Sequence, residues 1–348
     1  MRFSRRTGIR VLIGSLFLLI ATMASAQPFS GYVTNSSGHN YIRLPQRDYV
    51  GGSFTFEAWV SLGTSSCASI AGNDYTRSIW IGVCGGTLRS YIRGGSSLYD
   101  AGTVPANDWT HIAVTFDNAT KTRTHYIDGE VAGVPQVDPG PITTSTTEWR
   151  IFSDVPWQVS PSGAIDEVRF WNVARTRDQI RSTITSTINS PQPGLISVYH
   201  LDGNYNDSID PARHGTAVGT VGILTTPVSA GCATNATTLC VGAGGRFAVN
   251  VTYKTGTTTG TAQVVPVTTA ESGLFWFFGP NNWEVMVKVL NGCGFGTPRY
   301  WVFSAATTDV HYELVVTDLQ RGVVKRYFNY QGNAAPAITD TGAFATCP

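Results

Sequence analysis

The chain has 348 residues and a formal net charge of +1, and only 14% of its residues are charged, against about 25% in a typical globular domain. Lysine and arginine do not cluster beyond the N-terminal region, so nucleic acid and anionic membrane surfaces are excluded as expected partners. The length suits two domains of ordinary size.

The first 26 residues have the features of a secretory signal peptide. Residues 1–10 hold four arginines, residues 11–23 are apolar, and Ala24-Ser25-Ala26 is a small-residue cleavage site. The apolar run is shorter than the roughly 20 residues that span a bilayer. We therefore expect cleavage before Gln27 and a secreted chain without membrane insertion, with periplasmic or cell-surface retention as the alternative.

The cysteine count is even, which in an exported chain indicates disulfides rather than metal ligands. The six residues are Cys67, Cys84, Cys232, Cys240, Cys293 and Cys347. The domain boundary predicted below separates the first two from the other four, so we expect Cys67 to pair with Cys84. The remaining four allow three connectivities, of which we prefer Cys232–Cys240 with Cys293–Cys347.

Short segments that alternate between apolar and polar residues dominate the first part of the chain. Residues 54–60 place Phe54 and Phe56 on one face, and Glu57 and Trp59 on the other. Segments with the same period are residues 111–116, 124–127 and 165–171. Such strands, separated by loops rich in Gly, Ser, Pro and Asn, predict a sandwich or barrel.

One segment, residues 176–188, is expected to be helical, with Thr176 as its N-cap and Asp178 in its first turn. Residues 225–231 are typical of a linker, which divides the mature chain into domains 27–224 and 232–348. The strands predicted in the second domain are residues 246–253, 273–278, 284–290, 300–303, 311–318 and 323–330.

An uninterrupted aromatic run occurs in the second domain, at Phe275, Trp276, Phe277 and Phe278. Because the run shows no alternation with polar residues, it favours a central strand buried on both faces over an exposed aromatic platform.

Three motifs carry a family resemblance. They are FTFEAWV at residues 54–60, WTHIAVTFD followed by YIDG at 109–117 and 126–129, and GAIDEVRFWN at 163–172. In this order they resemble the laminin G-like, pentraxin-related superfamily of concanavalin A-like jelly rolls. The second domain resembles a C-terminal module of bacterial exported proteins, which implies a bacterial source. The expected fold is all-β, with an N-terminal concanavalin-A-like jelly-roll sandwich and a smaller C-terminal β-sandwich.

Catalysis is not expected from this chain. Glucanases of the family place catalytic glutamates in a Glu-x-Asp-x-x-Glu strand, which the sequence lacks. Asp166 and Glu167 are adjacent, so we expect their side chains on opposite faces of a strand, where they cannot act as a pair. The sequence also has no Gly-x-Ser-x-Gly elbow and no histidine spacing typical of a metal site.

The resemblance implies a possible role for calcium. Pentraxin-like relatives bind calcium through Asp and Asn in two loops, and the corresponding residues here are Asn73, Asp74 and Asp154. Such hard oxygen ligands suit calcium, which takes six to eight of them. The second loop carries one acid where the relatives have several, so ordinary turn-forming roles for Asp74 and Asp154 are the alternative.

Sugar-binding sites in such folds combine flat aromatic rings with polar groups. We expect Tyr75 and Trp157 to bind ligand, and Trp80 and Trp149 lie in or beside the same loops. The predicted function is extracellular, non-catalytic glycan recognition. The alternatives are a structural or adhesive protein that binds other extracellular proteins, and a polysaccharide hydrolase. The sequence leaves the oligomeric state open.

Overall fold

The computed structural model describes residues 31–35, 39–45, 49, 52–63, 67–93, 97–107, 109–142, 145–155, 160–184, 187–225, 231–256, 258–296 and 298–347. The expected signal peptide, the start at Gln27 and all but the ends of the expected linker lie outside these ranges. In the part of the chain described, no helix has both the length and the apolar composition needed to cross a membrane.

The first part of the chain folds into β-strands with one short α-helix. The strands are β1 (Gly31–Asn35), β2 (Tyr41–Leu44), β3 (Phe54–Leu62), β4 (Cys67–Gly72), β5 (Trp80–Cys84), β6 (Thr87–Tyr91), β7 (Tyr99–Thr103), β8 (Thr110–Asp117), β9 (Thr122–Ile127), β10 (Glu130–Val137), β11 (Trp149–Ile151), β12 (Gly163–Trp171), β13 (Leu195–Tyr199), β14 (Thr216–Val218) and β15 (Val221–Thr225). Helix α1 (Arg177–Thr183) follows β12, and a 3₁₀ turn (Pro211–Arg213) precedes β14.

These strands pair into two sheets. The first sheet has the order β10-β9-β8-β3-β12-β1-β15, with β13 also paired to β12, and the second has the order β14-β2-β11-β4-β5-β6-β7. The core between them takes the side chains that alternation assigned inward, including Phe54, Phe56, Ile112, Val168 and Phe170. The expected all-β fold with an N-terminal sandwich is confirmed.

The rest of the chain forms a smaller sandwich with its own core. Its strands are β16 (Leu239–Val241), β17 (Phe247–Thr255), β18 (Thr258–Thr261), β19 (Gln263–Val264), β20 (Ser272–Trp276), β21 (Trp283–Asn291), β22 (Tyr300–Ala306), β23 (His311–Asp318), β24 (Val323–Asn329) and β25 (Ile338–Phe344), with a 3₁₀ turn at Ala243–Gly245. The third sheet is β16-β17-β23-β24, with β18 on β17, and the fourth is β19-β20-β21-β22-β25.

The aromatic run of the second sandwich alternates, so the expectation of burial on both faces is wrong. Phe275 and Phe277 are buried in the core, whereas Trp276 is partly exposed and Phe278 is 58% exposed. Two of the four rings therefore face outward from a strand that lies between β19 and β21. A strand with apolar residues on both faces is not necessarily buried on both faces. Its burial depends on which layers of the fold cover it.

Helix α1 begins where the sequence predicts and ends earlier. The Thr176 hydroxyl accepts the Gln179 amide, and the Gln179 side chain accepts the Thr176 amide, which forms a capping box. The helix ends at Thr183 instead of continuing to Ile188. The β-branched residues that follow have low helix propensity.

A buried ionic network covers the outer face of the first sheet. Glu57 accepts hydrogen bonds from Arg175 (2.7 Å) and from the Trp171 indole (2.9 Å). Arg169 lies 3.7 Å from Glu57 and donates to Glu167 at 2.8 Å. Burial of charges costs several kcal/mol per ion unless they are paired and hydrogen-bonded. Here each guanidinium is paired with a carboxylate, although the second oxygen of Glu57 accepts no hydrogen bond from the described residues.

The same network holds the end of α1. Arg169 donates to the Thr183 carbonyl (2.9 Å), and Arg175 donates to the Thr183 hydroxyl (2.8 Å). The Trp59 indole donates to the Ile184 carbonyl at 3.0 Å. Because the last carbonyls of a helix lack partners within it, these donors stabilise α1 and fix it over the sheet.

A β-bulge in β12 brings adjacent acids into one cluster. The register with β3 shifts between Asp166 and Arg169, and Glu167 has a positive φ of 50°. The carboxylates of Asp166 and Glu167 both interact electrostatically with Arg169. The expectation that these two side chains point to opposite faces is therefore wrong, because regular alternation does not hold through a bulge.

The two sandwiches contact each other around Trp59. Its ring stacks on Phe328 of β24 with centroids 6.3 Å apart, and the Arg326 guanidinium lies 5.1 Å from the Trp59 ring. Arg181 of α1 lies 3.4 Å from the ring centroid of Tyr330. Beside these contacts is a cleft of about 530 Å³, lined by residues of β9, β10, β17 and β23.

The expected disulfides are confirmed as Cys67–Cys84, Cys232–Cys240 and Cys293–Cys347. The first joins directly opposed residues of β4 and β5, and the third ties the turn after β21 to the segment after β25. Disulfides persist in oxidising compartments, so the bridges support the expected export.

Removal of the bridges should destabilise the fold in the order of the loops they close. The chain-entropy relation gives about 4 kcal/mol for the 54-residue separation of Cys293 and Cys347, and about 2.5 kcal/mol for the 8-residue separation of Cys232 and Cys240. We expect paired Cys→Ser variants to lose free energy of unfolding in that order in urea titrations. Equal losses, or the reverse order, would contradict the relation for this protein.

Replacement of Glu57 should be far more damaging than replacement of an exposed acid. Glu57→Gln leaves the buried guanidinium of Arg175 without its compensating charge, which should cost about 3–5 kcal/mol of unfolding free energy. Glu130, which pairs with Arg177 and Arg181 at 39% side-chain exposure, is the matched control, and Glu130→Gln should cost less than about 1 kcal/mol. Similar losses in the two variants would show that the network does not have this role.

Candidate functional site

Two loops that the sequence assigns to one site meet beside β4 and β11, the neighbouring central strands of the second sheet. Strand β11 pairs with β4, and the Phe152 amide continues this contact by donating to the Ile70 carbonyl at 2.7 Å. The Tyr75 amide donates to the Val155 carbonyl at 3.1 Å, which joins the loop after β4 to the loop after β11. Phe152 has a φ of 70°, a conformation that is costly for a bulky residue and that often accompanies functional sites.

Asp154 lies at the centre of this junction and is fully buried. Its Oδ1 accepts the Ser69 hydroxyl at 3.1 Å, and the Ser69 oxygen accepts the Trp80 indole N–H at 2.7 Å. Its Oδ2 has no hydrogen-bond partner among the described residues. Gly72 leaves room for this side chain, since a Cβ at residue 72 would lie 3.1 Å from that of Asp154. One carboxylate oxygen is thus enclosed by the protein without a hydrogen-bond partner among the described residues.

The environment makes Asp154 harder to ionise than an ordinary aspartate. Burial raises its pKa to about 6, although hydrogen bonds from Ser69 and from the Tyr75 backbone and the charge of Arg150 act in the opposite direction. The nearby Asp74 carboxylate adds to the rise. Near neutral pH the site therefore holds a carboxylate that a positive charge or a hydroxyl donor would stabilise.

The loop that holds Asn73 and Asp74 lies next to Asp154, and the two side chains also stabilise that loop. The Asn73 Oδ1 accepts the Ile79 amide at 3.2 Å, and the Asp74 Oδ1 accepts the amide and hydroxyl of Thr76 at 3.0 and 2.7 Å. Both residues are buried. These bonds match the turn-forming alternative. They engage the single amide oxygen of Asn73 and one of the two carboxylate oxygens of Asp74.

Three aromatic rings pack together next to the loops. Tyr75 contacts Trp80 and Tyr91 edge to face, with centroids 6.0 and 5.0 Å apart, and Trp80 lies 5.5 Å from Tyr91. The Trp80 ring lies against Gly82, where a Cβ would overlap it. Tyr75 is partly exposed, whereas Trp80 and Tyr91 are 4% and 6% exposed. Of the three rings, Tyr75 is therefore the one that solvent reaches.

The sequence missed two members of this cluster. Ser69 orients Asp154, and Tyr91 is the cross-strand partner of Trp80 in β5 and β6. Only the strand register identifies them. Trp157 lies outside the described residues, and Trp149 is a core residue that packs against Phe170 at 5.3 Å.

The site gathers few metal ligands. In the described ranges, no three His, Cys, Asp or Glu residues lie close enough together to hold a metal ion. Asp74 and Asp154 form the acidic pair, and Asn73 adds an amide oxygen. These groups fit a cation only in part, because calcium takes six to eight oxygens.

The other cluster of acids in the first sandwich is a stabilising network. Glu57, Asp166 and Glu167 are each at most 1% exposed. Burial opposes ionisation of Glu167, yet Arg169 and a 2.6 Å hydrogen bond with His200 hold its pKa below the usual value. Glycoside hydrolysis needs two carboxyl groups that flank the bond to be broken, and these groups instead face arginines.

Comparisons with known proteins agree with this architecture. The laminin G-like family model, described as the concanavalin A-like lectin/glucanases superfamily, matches residues 36–181. No curated protein matches the chain. Similar solved structures include a proposed carbohydrate-binding protein from Bacteroides ovatus (21% identity, TM-score 0.49, 57% of this chain and 60% of that one). The chain thus spans less than two thirds of that protein's length.

Two more distant structures share parts of the fold. A heptameric SAP-like pentraxin from Limulus polyphemus has 15% identity and a TM-score of 0.42, over 58% of this chain and 97% of that one. The CBM40 of a Ruminococcus gnavus sialidase, bound to α2,3-sialyllactose, has 12% identity and a TM-score of 0.39, over 44% and 96%. Identities this low do not indicate a shared ligand. The family match confirms that residues 36–181 resemble the laminin G-like, concanavalin A-like superfamily.

Proposed function

We propose that the protein is an exported, non-catalytic carbohydrate-binding protein whose first sandwich recognises a glycan at the loops around Asp154. The observation that carries the proposal is the unpartnered Oδ2 of the buried Asp154, next to a partly exposed tyrosine. The superfamily that matches residues 36–181 is described by its lectins and glucanases. That description supports carbohydrate as the class of ligand, and the loops after β4 and β11 are the proposed binding site.

Sugar recognition accounts for both halves of this arrangement. An oriented carboxylate oxygen accepts a sugar hydroxyl, and such charge-assisted hydrogen bonds are roughly twice as strong as neutral ones. A sugar ring also has an apolar face that packs on an aromatic ring. Tyr75 would provide the ring. Asp154 would provide the acceptor once the loops around it open to admit a sugar hydroxyl, because the carboxylate is fully buried without ligand. Trp157, outside the described residues, stays an expected ligand contact.

Calcium is proposed as an aid to this binding. Asp74 and Asp154 would hold the ion together with Asn73, and its positive charge would relieve the repulsion between the two carboxylates. Since the ion would also favour the ionised form of Asp154, the calcium proposal has a consequence in the absence of sugar: added calcium should stabilise the folded protein at neutral pH.

Binding should depend on both residues. In a glycan-array screen of the mature protein, run with calcium and with a chelator, we expect glycan hits in at least one buffer. Loss of a hydrogen bond to a charged group costs about 1.5–3 kcal/mol, so Asp154→Asn should weaken a hit roughly 10- to 100-fold. Tyr75→Ala should weaken it roughly tenfold through loss of ring contacts.

The matched control is Asp178→Asn, the same exchange at a highly exposed position of α1, which should leave binding unchanged. If folded wild-type protein gives a blank array in both buffers, glycan recognition at this site is refuted and an adhesive or structural role is favoured. Retained binding in both site variants would refute the site alone.

The raised pKa of Asp154 predicts a pH-dependent penalty on stability. An aspartate titrates at about 3.9 in the unfolded chain and at about 6 here. Between these values the unfolded chain loses its proton first, so the free energy of unfolding falls as pH rises. Asp154→Asn lacks this penalty, and its stability relative to wild type should rise by about 2–3 kcal/mol between pH 4 and pH 7.5 in urea titrations. A constant difference would contradict the raised pKa.

A further inference from the structure

The outer face of the fourth sheet carries a continuous group of apolar side chains, which we call the exposed aromatic face. Trp283, Met286 and Phe295 are 50%, 41% and 66% exposed. The members on the strands are partly or largely exposed, and the face comprises Leu274, Trp276, Trp283, Met286, Leu290, Trp301 and Phe303, with Phe295 in the following turn. The register pairs Leu274 with Met286 and Leu290 with Trp301 across neighbouring strands.

This face lies on the opposite side of the second sandwich from the contact with the first. The outer face of the third sheet holds Arg326 and Phe328, which pack against Trp59. The third sheet is therefore covered within the chain. The exposed aromatic face belongs to the other sheet, so that contact leaves it uncovered.

A glycine lets the Trp301 indole pack directly against the backbone. A Cβ at Gly292 would overlap the Trp301 indole, so the indole lies directly on the backbone of the segment after β21. Phe295 and Phe303 flank it, with centroids 5.8 and 6.4 Å from that of Trp301. The glycine thus lets the Trp301 indole lie against the backbone, with the Phe295 ring tilted by 39° and the Phe303 ring edge-on at 84° to it.

The face is almost without charge. Among the described outward positions of β20, β21 and β22, Lys288 is the one charged side chain, and its amine lies 5.8 Å from the Phe303 ring. A neutral ligand suits such a surface, whereas a nucleic acid or an acidic protein would leave its charges uncompensated there.

The size of the face argues against a second copy of the chain as its occupant. Residues 283–290 of β21 extend about 24 Å, and three strands are about 15 Å wide. The product, about 350 Å², is less than half of the roughly 800 Å² per partner of a standard protein interface. A ligand narrower than a second protein chain fits a face of this size.

We propose that the exposed aromatic face binds a linear, uncharged polysaccharide whose pyranose rings stack on the rings of Trp301 and Trp283. The apolar faces of unsubstituted pyranoses match flat aromatic side chains. This surface lies in a different sandwich from Asp154, so the chain has two separate contacts for carbohydrate. Two linked contacts on one polymer raise its effective concentration at each of them.

The test measures how much purified mature protein pellets with microcrystalline cellulose and with chitin. We expect wild type to pellet with at least one of them. Trp301→Ala and Trp283→Ala should each bind roughly tenfold more weakly. Gly292→Ala should cause a similar loss although every ring remains, because the added methyl group displaces the Trp301 indole. The control is Val134→Ala, which removes another apolar group that is 83% exposed but lies in β10 of the first sandwich.

Thermal melts keep the result interpretable, since only variants with unchanged melting temperatures are compared. Failure of wild type to pellet with either polysaccharide overturns the proposal, as does equal pelleting of wild type and all three variants. A dimer in sedimentation velocity that Trp283→Ala dissociates would assign the face to a second copy and also overturn it. Asp154→Asn should leave pelleting unchanged and Trp283→Ala should leave glycan-array hits unchanged, so the two proposals fail separately.

Discussion

The burial of Glu57 in the middle of the first sheet constrains much of the molecule. A charged side chain on a central strand must be neutralised, because an unpaired buried charge costs several kcal/mol, a large share of the free energy that keeps a domain folded. Arg169 and Arg175 neutralise it, and the same guanidinium groups bind the end of helix α1. The cover also includes Trp59, which in turn packs against Phe328 of the second sandwich. The ionic network thus links the helix, the bulge in β12 and the contact between the sandwiches.

This contact gives the chain a simple plan. The outer faces of the first and third sheets meet around Trp59, and the outer faces of the second and fourth sheets lie on the two remote sides. Both candidate binding surfaces are on those remote sides. Each also contains a tryptophan ring that lies on a glycine, Trp80 on Gly82 and Trp301 on Gly292. In both places the missing side chain lets an indole approach the backbone closely.

The two surfaces differ in chemistry. At Asp154 a buried carboxylate with a raised pKa provides direction and sensitivity to charge, which suits recognition of particular hydroxyl groups or of a bound cation. The exposed aromatic face has one amine and a group of rings, which suits adhesion to a repeating, uncharged polymer. Selective recognition and broad adhesion are therefore assigned to different sandwiches.

The strand positions and the cap of α1 follow from the sequence because each depends on local chemistry, whereas the pairing of the last four cysteines was only a preference among three connectivities. Alternation with a period of two marks the inward side chains of β3, β8 and β12, Thr176 satisfies a free amide at the start of the helix, and the domain division limits the cysteine pairs. The assignment of Asn73, Asp74 and Asp154 to one site came only from the family resemblance.

Tertiary structure alone decided what lies over each strand. The bulge at Glu167 moved two acids into one cluster, contact between the sandwiches buried Trp59, and alternation along β20 and the turn after it left Trp276 and Phe278 outward. The sequence also did not predict the unpartnered oxygen of Asp154 or the packing of Trp301 on Gly292. These features arise between segments far apart in the chain, and local periodicity carries no information about which distant surface covers a given face.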